Sequence, residues 1–335
     1  MVGTEFLNGQ GLGNQLFCYV STRCIAIDNN YSFGTAGQKQ FANNIHSNKG
    51  MYFMDVELGE EMIKNKCSLF YEKEDRLLLP YDKHDSSIGV YISGEDTRLT
   101  SRISDNTLIY GNLQSEKYFL HHKEEIKKWL KINNNYFDKR FSNDNTCILN
   151  MRGGEYVGNR SLYLKKKYWV DAMNIMKQIK PDMNFIIITE DVKNAKIMFP
   201  KLPVYHLGMG EDYAAIHFAH YLILSNSSFA FFPTFTSDTV KFVIAPKYWA
   251  RHNISDGYWA SEQNIYSGWN YLDRNGQLFS AEECRAEYDN YKKTKLISNM
   301  NNYKKPRWYA QIYYYKLINM GYRIYNITKR LKFVD

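Results

Sequence analysis

The chain alternates short apolar runs with segments whose apolar residues recur at helical spacing. An apolar run at residues 2–7 predicts a first strand, and Leu16, Val20, Cys24 and Ile27 then predict one face of an amphipathic helix. A glycine-containing loop joins the two. The chain is therefore expected to open with a strand–loop–helix unit.

Four further apolar runs in the second half of the chain predict buried strands, and helical segments separate the first three of them. Hydrophobic strands that alternate with helices are typical of a parallel sheet covered on both faces. The predicted fold class is therefore α/β. The runs are CILNM (147–151), NFIIIT (184–189), LILSN (222–226) and FVIAP (242–246), the helical segments are 167–178, 192–198 and 213–220, and the aromatic stretch 229–239 joins the third and fourth runs.

Length and composition predict two domains and a tail. A chain of 335 residues exceeds one ordinary domain, and the segment 132–146 is rich in Asn, Asp and Ser, as linkers are. The predicted boundaries are 1–140, 141–290 and 291–335. In the first domain, residues 107–110 predict a strand, and residues 116 to about 130 predict a helix with Ser115 as its N-cap.

Charge and cysteine usage bear on where the protein works. The net charge is +8, but eleven Lys or Arg residues and one acid lie between Lys292 and Asp335, which leaves −2 for the rest. The five cysteines are scattered without a C-x-x-C pair, which disfavours a disulfide framework or a zinc site and fits a reducing cytosol. No run of about 18 apolar residues occurs and the N-terminus lacks a secretory pattern, so a cytoplasmic location is expected.

The loop before the first predicted helix contains Gly9, Gly11 and Gly13, followed by Asn14 and Gln15. Glycine lets backbone N–H groups approach a ligand closely, and the N-terminus of a helix favours an anion. The G-x-G-x-G spacing is neither the dinucleotide fingerprint nor a P-loop. A plain strand-to-helix turn is therefore an equal alternative.

Arg152 follows the strand that ends near Asn150, and Gly153 and Gly154 leave room beside it. A guanidinium is permanently charged and planar, which suits a diphosphate. Glu155 is a candidate general base if it is partly shielded from water. The alternative is an Arg–Glu surface pair on a turn.

Polar residues also follow two other predicted strands. Glu190 and Asp191 could hold a nucleobase edge or sugar hydroxyls, or could cap the next helix. Asn226 precedes Ser227 and Ser228, which could donate hydrogen bonds to phosphate oxygens or serve as an N-cap. Ligands of open α/β sheets bind beyond the carboxyl ends of the strands, so these residues are expected to meet there.

Several other classes of site lack their signatures. The sequence contains no D-x-D triplet, no H-x-x-x-H or H-E-x-x-H motif and no G-x-S-x-G elbow. A metal-bridged sugar-diphosphate site, a helical zinc site and a serine hydrolase are therefore not indicated, and neither a cofactor nor a metal is expected.

Six segments, in order from about residue 6 to residue 250, resemble motifs of glycosyltransferase family 11, the inverting α-1,2-fucosyltransferases. The segment GQGLGNQLFCYV resembles the N-terminal signature G-G-L-G-N-Q-L-F-Q-Y, and NMRGGEY stands where the family has H-x-R-R-x-D-Y. The remaining segments are YGNLQSEKYF, TED, LSNSSFAFF and VIAPKYW, which resemble the family's G-Y-x-Q-S-E-K-Y-F, S-D-D, A-N-S-S-F-S-W-W and V-I-A-P-x-x-W.

The resemblance implies a GT-B architecture, in which two Rossmann-like domains face a cleft, with the acceptor on the N-terminal side. It also implies metal-independent, inverting transfer of fucose from GDP-fucose to a galactose-like hydroxyl of a cell-surface glycan precursor, which could be lipid-linked. It implies that Arg152 binds the diphosphate of the sugar donor. It also implies that the nucleotide is bound by Glu190, Asp191, Ser227 and Ser228, and that Gly13 and Asn14 face the donor from the other side of the cleft.

This chain departs from the family motif at three positions: Asn150 replaces the His, Gly153 the second Arg and Glu155 the Asp. Because of these departures, three alternatives to fucose transfer in an α-1,2 linkage remain. The donor could be another GDP-sugar, the linkage could be a different one, or the chain could be an inactive relative that still binds the nucleotide. The base for the acceptor hydroxyl is expected to be Glu155, with Asp191 as the alternative.

Residues 303–335 mix Lys and Arg with Trp and Tyr, and Trp308, Ile312, Tyr315 and Asn319 share one helical face. Basic-aromatic helices of this kind can lie on anionic membranes, so peripheral contact with the inner face of a membrane is expected. A helix packed on the body, or a solvated tail, is the alternative. Nucleic-acid binding is not expected, because the positive charge is terminal and no nucleic-acid motif is present.

Overall fold

The computed structural model describes residues 1–43, 53–54, 56–73, 75–77, 90–92, 94–255, 257–259 and 261–294, together with eight positions between 313 and 328. These residues form two sheets of mainly parallel strands covered by helices, with a small two-stranded sheet beside them. The predicted α/β class is confirmed.

The first sheet is built from the N-terminal part of the chain. This part of the chain contains, in order, β1 (Val2–Glu5), α1 (Leu12–Asp28), β2 (Phe33–Ala36), β3 (Glu60–Glu61), β4 (Ser68–Tyr71), β5 (Asp75–Leu77), β6 (Val90–Ile92), α2 (Thr97–Ser101), β7 (Thr107–Tyr110) and α3 (Lys123–Trp129). Strands β5 and β6 form a separate antiparallel pair. The strand order is β3-β2-β1-β7-β4, and all neighbours are parallel. Parallel neighbours need a crossover, and α1 provides the one between β1 and β2 by burying Leu16, Val20 and Cys24.

The second sheet is built from the remaining elements, in the order β10-β9-β8-β11-β12-β13-β14. These are β8 (Thr146–Asn150), α4 (Lys166–Ile179), β9 (Asn184–Ile188), α5 (Val192–Met198), β10 (Val204–Tyr205), α6 (Met209–His217), β11 (Tyr221–Leu224), α7 (Phe231–Phe235), β12 (Phe242–Pro246), β13 (Asn270–Leu272), β14 (Leu278–Ser280) and α8 (Ala281–Thr294). Only the β13–β14 pair is antiparallel among the described strands of this sheet. Helices cover both faces, which is why β8, β11 and β12 are nearly continuous apolar runs.

The predicted helix over residues 116 to about 130 is wrong in its first half. Two 3₁₀ turns, Glu116–Tyr118 and Leu120–His122, precede α3, and Ser115 makes no side-chain capping bond. Tyr118 and Phe119 are fully buried, so packing against the core interrupts the helical pattern.

Other differences from the sequence prediction lie at the ends of elements. Ile27 is 42% exposed near the end of α1, and α6 begins at Met209, four residues before the predicted start. Helix α8 passes through residue 291, where the tail is predicted to begin. The sequence did not predict α8 or the β13–β14 hairpin.

An aromatic cluster joins α1 to the second sheet's helices. The ring of Phe17 lies 4.8 Å from that of Phe231 and 4.9 Å from that of Phe232, measured between centroids. Phe119 lies 5.7 Å from Phe231, and all four rings are buried. The two sheets therefore share one hydrophobic core at this point.

Gly13 brings the backbone of α1 against the segment that follows β11. A Cβ atom on Gly13 would lie 2.6 Å from the Ser228 carbonyl oxygen and 2.5 Å from the Phe229 nitrogen. Only glycine allows this approach without displacing backbone atoms.

The tail is described at eight positions between 313 and 328, all helical and all exposed. Trp308, Ile312, Tyr315 and Asn319, the predicted membrane-facing residues, lie outside the described residues. Among the helices that the structure describes, none combines the length and the apolar character needed to cross a bilayer.

Candidate active site

A cavity of about 220 Å³ lies beyond the carboxyl ends of β8, β9, β10 and β11. This edge of a parallel sheet is where open α/β folds bind their ligands. The N-terminus of α1 contributes Gly11 and Leu12 to the cavity wall, so both halves of the fold border it. The predicted site residues that line the cavity are Gly11, Asn150, Arg152, Glu190 and Ser227.

Arg152 is held between two carboxylates at the cavity wall. Its guanidinium lies 2.6 Å from Oε1 of Glu155 and 3.1 Å from Oε1 of Glu190, and its Cζ lies 5.5 Å from the ring centre of Tyr156. Burial disfavours the charge on Arg152, but the two carboxylates outweigh burial and raise its pKa. A guanidinium that pairs with carboxylates can also pair with a phosphate group in place of one of them.

Glu155, the predicted base, is 69% exposed on its side chain. Partial burial favours its neutral form, but the hydrogen bond from Arg152 outweighs burial and lowers the pKa of Glu155. While this pair persists, Glu155 is a weak proton acceptor.

Glu190 and Asp191 hold the glycine loop that follows β8. The Gly153 N–H donates to Oε1 of Glu190 at 3.3 Å, and the Gly154 N–H donates to Oδ2 of Asp191 at 3.0 Å. Asp191 also accepts the Asn194 N–H at 3.2 Å and so caps α5. Glu190 faces the cavity, whereas Asp191 plays the capping role that the sequence offered as an alternative.

The polar segment after β11 is fixed by its own hydrogen bonds. Ser227 caps the 3₁₀ turn Ser228–Ala230 by accepting the Phe229 N–H at 3.4 Å, and it also lines the cavity. The Asn226 amide donates to the Leu162 carbonyl at 3.0 Å, while its buried Oδ1 has no partner in the described part of the chain. The backbone of Ser228 packs against Gly13, and Ser228 is not among the residues that line the cavity.

The loop between β1 and α1 and the first turn of α1 contain one residue that lines the cavity and others that do not. Gly11 is the N-cap of α1, no side chain caps that end, and the first turn has no acidic residue, so the helix N-terminus presents N–H groups at the cavity. Asn14 is exposed and accepts a 3.0 Å hydrogen bond from Gln114. Gln15 is fully buried and donates to the Gln40 carbonyl at 2.7 Å, which is a structural role.

The cavity wall also contains a histidine–aspartate pair that the sequence analysis does not predict. Nδ1 of His206 lies 2.6 Å from Oδ2 of Asp212, whose other oxygen accepts the Leu207 N–H at 3.0 Å. Asp212 is buried, and burial raises its pKa. The signal that could have revealed the pair is a His directly after a strand and an acid in the first turn of the next helix.

The cavity thus combines the Arg152 guanidinium, an uncapped helix N-terminus and the imidazole of His206, and Glu155 pairs with the guanidinium from outside the lining. The guanidinium and the helix end attract an anion such as a diphosphate. Glu155 and His206 are the candidate proton acceptors.

Comparison with known proteins finds distant likenesses. No family model matches the chain. An α-1,2-colitosyltransferase of Escherichia coli is 23% identical over 199 residues, which is 56% of this chain and 68% of that protein. Crystal structures of POFUT1 in complex with GDP and with GDP-fucose superpose with TM-scores of 0.39 and 0.38 at 9% and 10% identity, over 73% of this chain and 97% of each of theirs. At this similarity, neither structure says what this chain binds.

Proposed function

We propose that this chain is an inverting, metal-independent glycosyltransferase that moves fucose from GDP-fucose to a galactose-like hydroxyl, forming an α-1,2 linkage. The observation that carries the proposal is the meeting of Arg152 and the uncapped N-terminus of α1 in one cavity at the strand ends. The motif resemblance names the sugar donor and the linkage.

The diphosphate of the sugar donor is the group best suited to Arg152. Without a metal, the negative charge that grows on the departing diphosphate must be met by Arg152 and backbone N–H groups. Glu155 is the exposed partner of Arg152 and is free to swing away when the diphosphate takes its place. The present cavity of about 220 Å³ is smaller than a typical ligand site of roughly 300–1,000 Å³, so binding of a GDP-sugar requires the cavity to widen.

Inverting transfer is a single in-line displacement: the acceptor oxygen bonds to the sugar carbon as the diphosphate leaves, and a base takes the acceptor's proton. Glu155 is the proposed base, because its release from Arg152 by the diphosphate would remove the interaction that lowers its pKa. His206, held by Asp212, is a second base candidate. Asp191 is less suitable because it caps α5.

A second candidate is transfer of a different 6-deoxy sugar from a guanosine-diphospho donor. The colitosyltransferase among the relatives favours this reading, since colitose is fucose without its 3-hydroxyl group. Gly153, where the family has a second Arg, also changes the charge near the donor.

The first experiment is calorimetric titration of the protein with GDP in the presence of a chelator, with UDP as a control. GDP-selective binding is expected. Arg152→Ala should abolish it, Arg152→Lys should weaken it, and loss of this contact should cost transfer about 3–4 kcal/mol in the barrier. Arg140→Lys is the matched control, because Arg140 also pairs with a nearby carboxylate but lies on the surface. Normal turnover by Arg152→Ala would remove this residue from the mechanism.

Transfer assays with GDP-fucose and GDP-colitose, over a panel of galactose-terminated acceptors, then separate the alternatives. Turnover of GDP-fucose supports the proposal, and a strong preference for GDP-colitose supports the second candidate. GDP binding without turnover of either sugar would point to an inactive relative.

The proposed enzyme would also contact a membrane through residues 303–335. The described tail positions Tyr313, Leu317, Met320, Ile324 and Ile327 are exposed and alternate in steps of four and three, as one apolar face does. Basic helices with such a face bind anionic membranes. Sedimentation with anionic vesicles should be lost on deletion of 303–335, and equal sedimentation of the deleted chain would contradict the proposal.

A further inference from the structure

Two adjacent histidines converge on one carboxylate far from the cavity. Asp28 is the last residue of α1, and His121 and His122 end the 3₁₀ turn before α3. Nε2 of His121 lies 2.9 Å from one oxygen of Asp28, and Nε2 of His122 lies 2.8 Å from the other. We propose that these three side chains bind a divalent transition metal of the zinc class.

The chemistry of the three groups fits such an ion. Two imidazole nitrogens and one carboxylate oxygen are the ligand set that zinc-class ions accept, with a water in the remaining position. The three ligand atoms lie within 4.8 Å of one another. Ligands of a tetrahedral zinc ion at about 2.0–2.1 Å are separated by roughly 3.4 Å, so small side-chain rotations would complete the geometry.

The backbone holds these groups in place before any ion binds. Phe119 and Ile126, which flank the two histidines in sequence, are both fully buried, so the segment is anchored on either side of them. The carboxyl end of α1 adds a negative potential at Asp28, which favours a cation there. Exposed fractions of 52%, 15% and 29% for His121, His122 and Asp28 leave the ligands accessible to an ion from solvent.

The inference does not rest on the proposed function. Helix α1 has seventeen residues, so its carboxyl end lies about 24 Å from its N-terminus at the cavity. The metal would therefore tie the end of α1 to the start of α3 and would take no part in sugar transfer.

The test uses tag-free full-length protein dialysed against chelator, with Co²⁺ as the spectroscopic probe and Zn²⁺ as the competitor. One Co²⁺ per chain should bind with visible d–d absorption, and one equivalent of Zn²⁺ should displace it. Asp28→Asn and His122→Gln should each weaken Zn²⁺ binding at least tenfold. His220→Gln is the matched control, since His220 pairs with Asp144 but with no second histidine in the described residues.

Ring ¹⁵N spectra of the eight histidines give a second readout. One equivalent of Zn²⁺ should shift two ring systems, and His121→Gln should remove one of them. Absence of saturable one-to-one binding, or binding that survives both ligand variants unchanged, would overturn the inference. In either case GDP affinity should be the same with and without Zn²⁺.

Discussion

Substitution of Gly13 by alanine tests whether α1 is pressed against the second half of the fold. The added Cβ would meet the carbonyl oxygen of Ser228 at 2.6 Å and the nitrogen of Phe229 at 2.5 Å, both backbone atoms that cannot rotate away. Relief to ordinary van der Waals contact requires α1 to move by most of an ångström. Overpacking of this kind costs about 1–3 kcal/mol, and the better helix propensity of alanine returns up to about 1 kcal/mol.

The expected net loss is about 1–2 kcal/mol in the free energy of unfolding, or a fall of roughly 1–3 °C in melting temperature for a chain of 335 residues. GDP affinity should fall as well, because Gly11 and Ser227 line the cavity on the two sides that would separate. Urea unfolding and calorimetry with GDP measure both effects.

Gly11→Ala provides the stability control, since no atom lies within 4 Å of a Cβ at Gly11 and its φ of −66° suits alanine. Its unfolding free energy should change by less than about 0.5 kcal/mol. Equal stability and equal GDP affinity for Gly13→Ala and the wild type would refute the close approach.

Four other substitutions test the site and the core. Glu155→Gln should lower kcat by roughly 10²–10⁴ while GDP affinity holds or rises, and if His206→Gln shows that loss instead, the base is His206. Gly153→Arg, which introduces the second Arg of the motif that this segment resembles, should destabilise the fold by about 1–3 kcal/mol, because the new Cβ would lie 2.6 Å from Oδ2 of Asp191 and even closer to the Asp191 Cβ. Tighter GDP binding at normal stability would contradict this. Burial lowers the pKa of His252 from 6.5 to about 4, so His252 binds a proton more readily in the unfolded chain than in the folded one. The free energy of unfolding should therefore fall by up to about 3 kcal/mol as the pH drops from 6.5 to about 4. In His252→Gln this part of the acid dependence should vanish in urea titrations at pH 7 and pH 4.5, and an unchanged difference between the two pH values would exclude His252 as its source.

The sequence predicts the second sheet better than the first because strands buried on both faces carry an unbroken apolar run. The boundaries of α5 and β12 agree with their predicted ranges, 192–198 and 242–246. The pattern over residues 116 to about 130 predicts one helix and not the 3₁₀ turns at Glu116–Tyr118 and Leu120–His122, because the burial of Tyr118 and Phe119 comes from distant parts of the chain.

In the candidate site, too, residues next to a recognisable strand could be predicted, and residues whose role depends on distant contacts could not. Arg152, Glu190 and Ser227 were found because each follows a recognisable strand, and all three line the cavity. His206 was missed because β10 has only two residues and leaves no periodic signal. Gln15 resembled a ligand residue, but its fully buried amide binds the Gln40 carbonyl, a partner that no local pattern reveals.

The same difficulty applies to the proposed metal site. Asp28 and His122 are 94 positions apart, so no motif with fixed ligand spacing contains them. Helical zinc patterns place their histidines four residues apart, whereas His121 and His122 are neighbours that converge because a 3₁₀ turn ends there.

The shared aromatic core around Phe17 has a consequence for engineering this protein. A chimera that exchanged everything up to residue 140 would replace Phe17 and Phe119 while keeping Phe231 and Phe232, whose rings they contact. It would also replace the glycine that fits against Ser228. A hybrid that carries both the segment 11–20 and Phe119 over from the recipient leaves that packing intact. In recombination terms, the first turns of α1 belong with the C-terminal half of the chain.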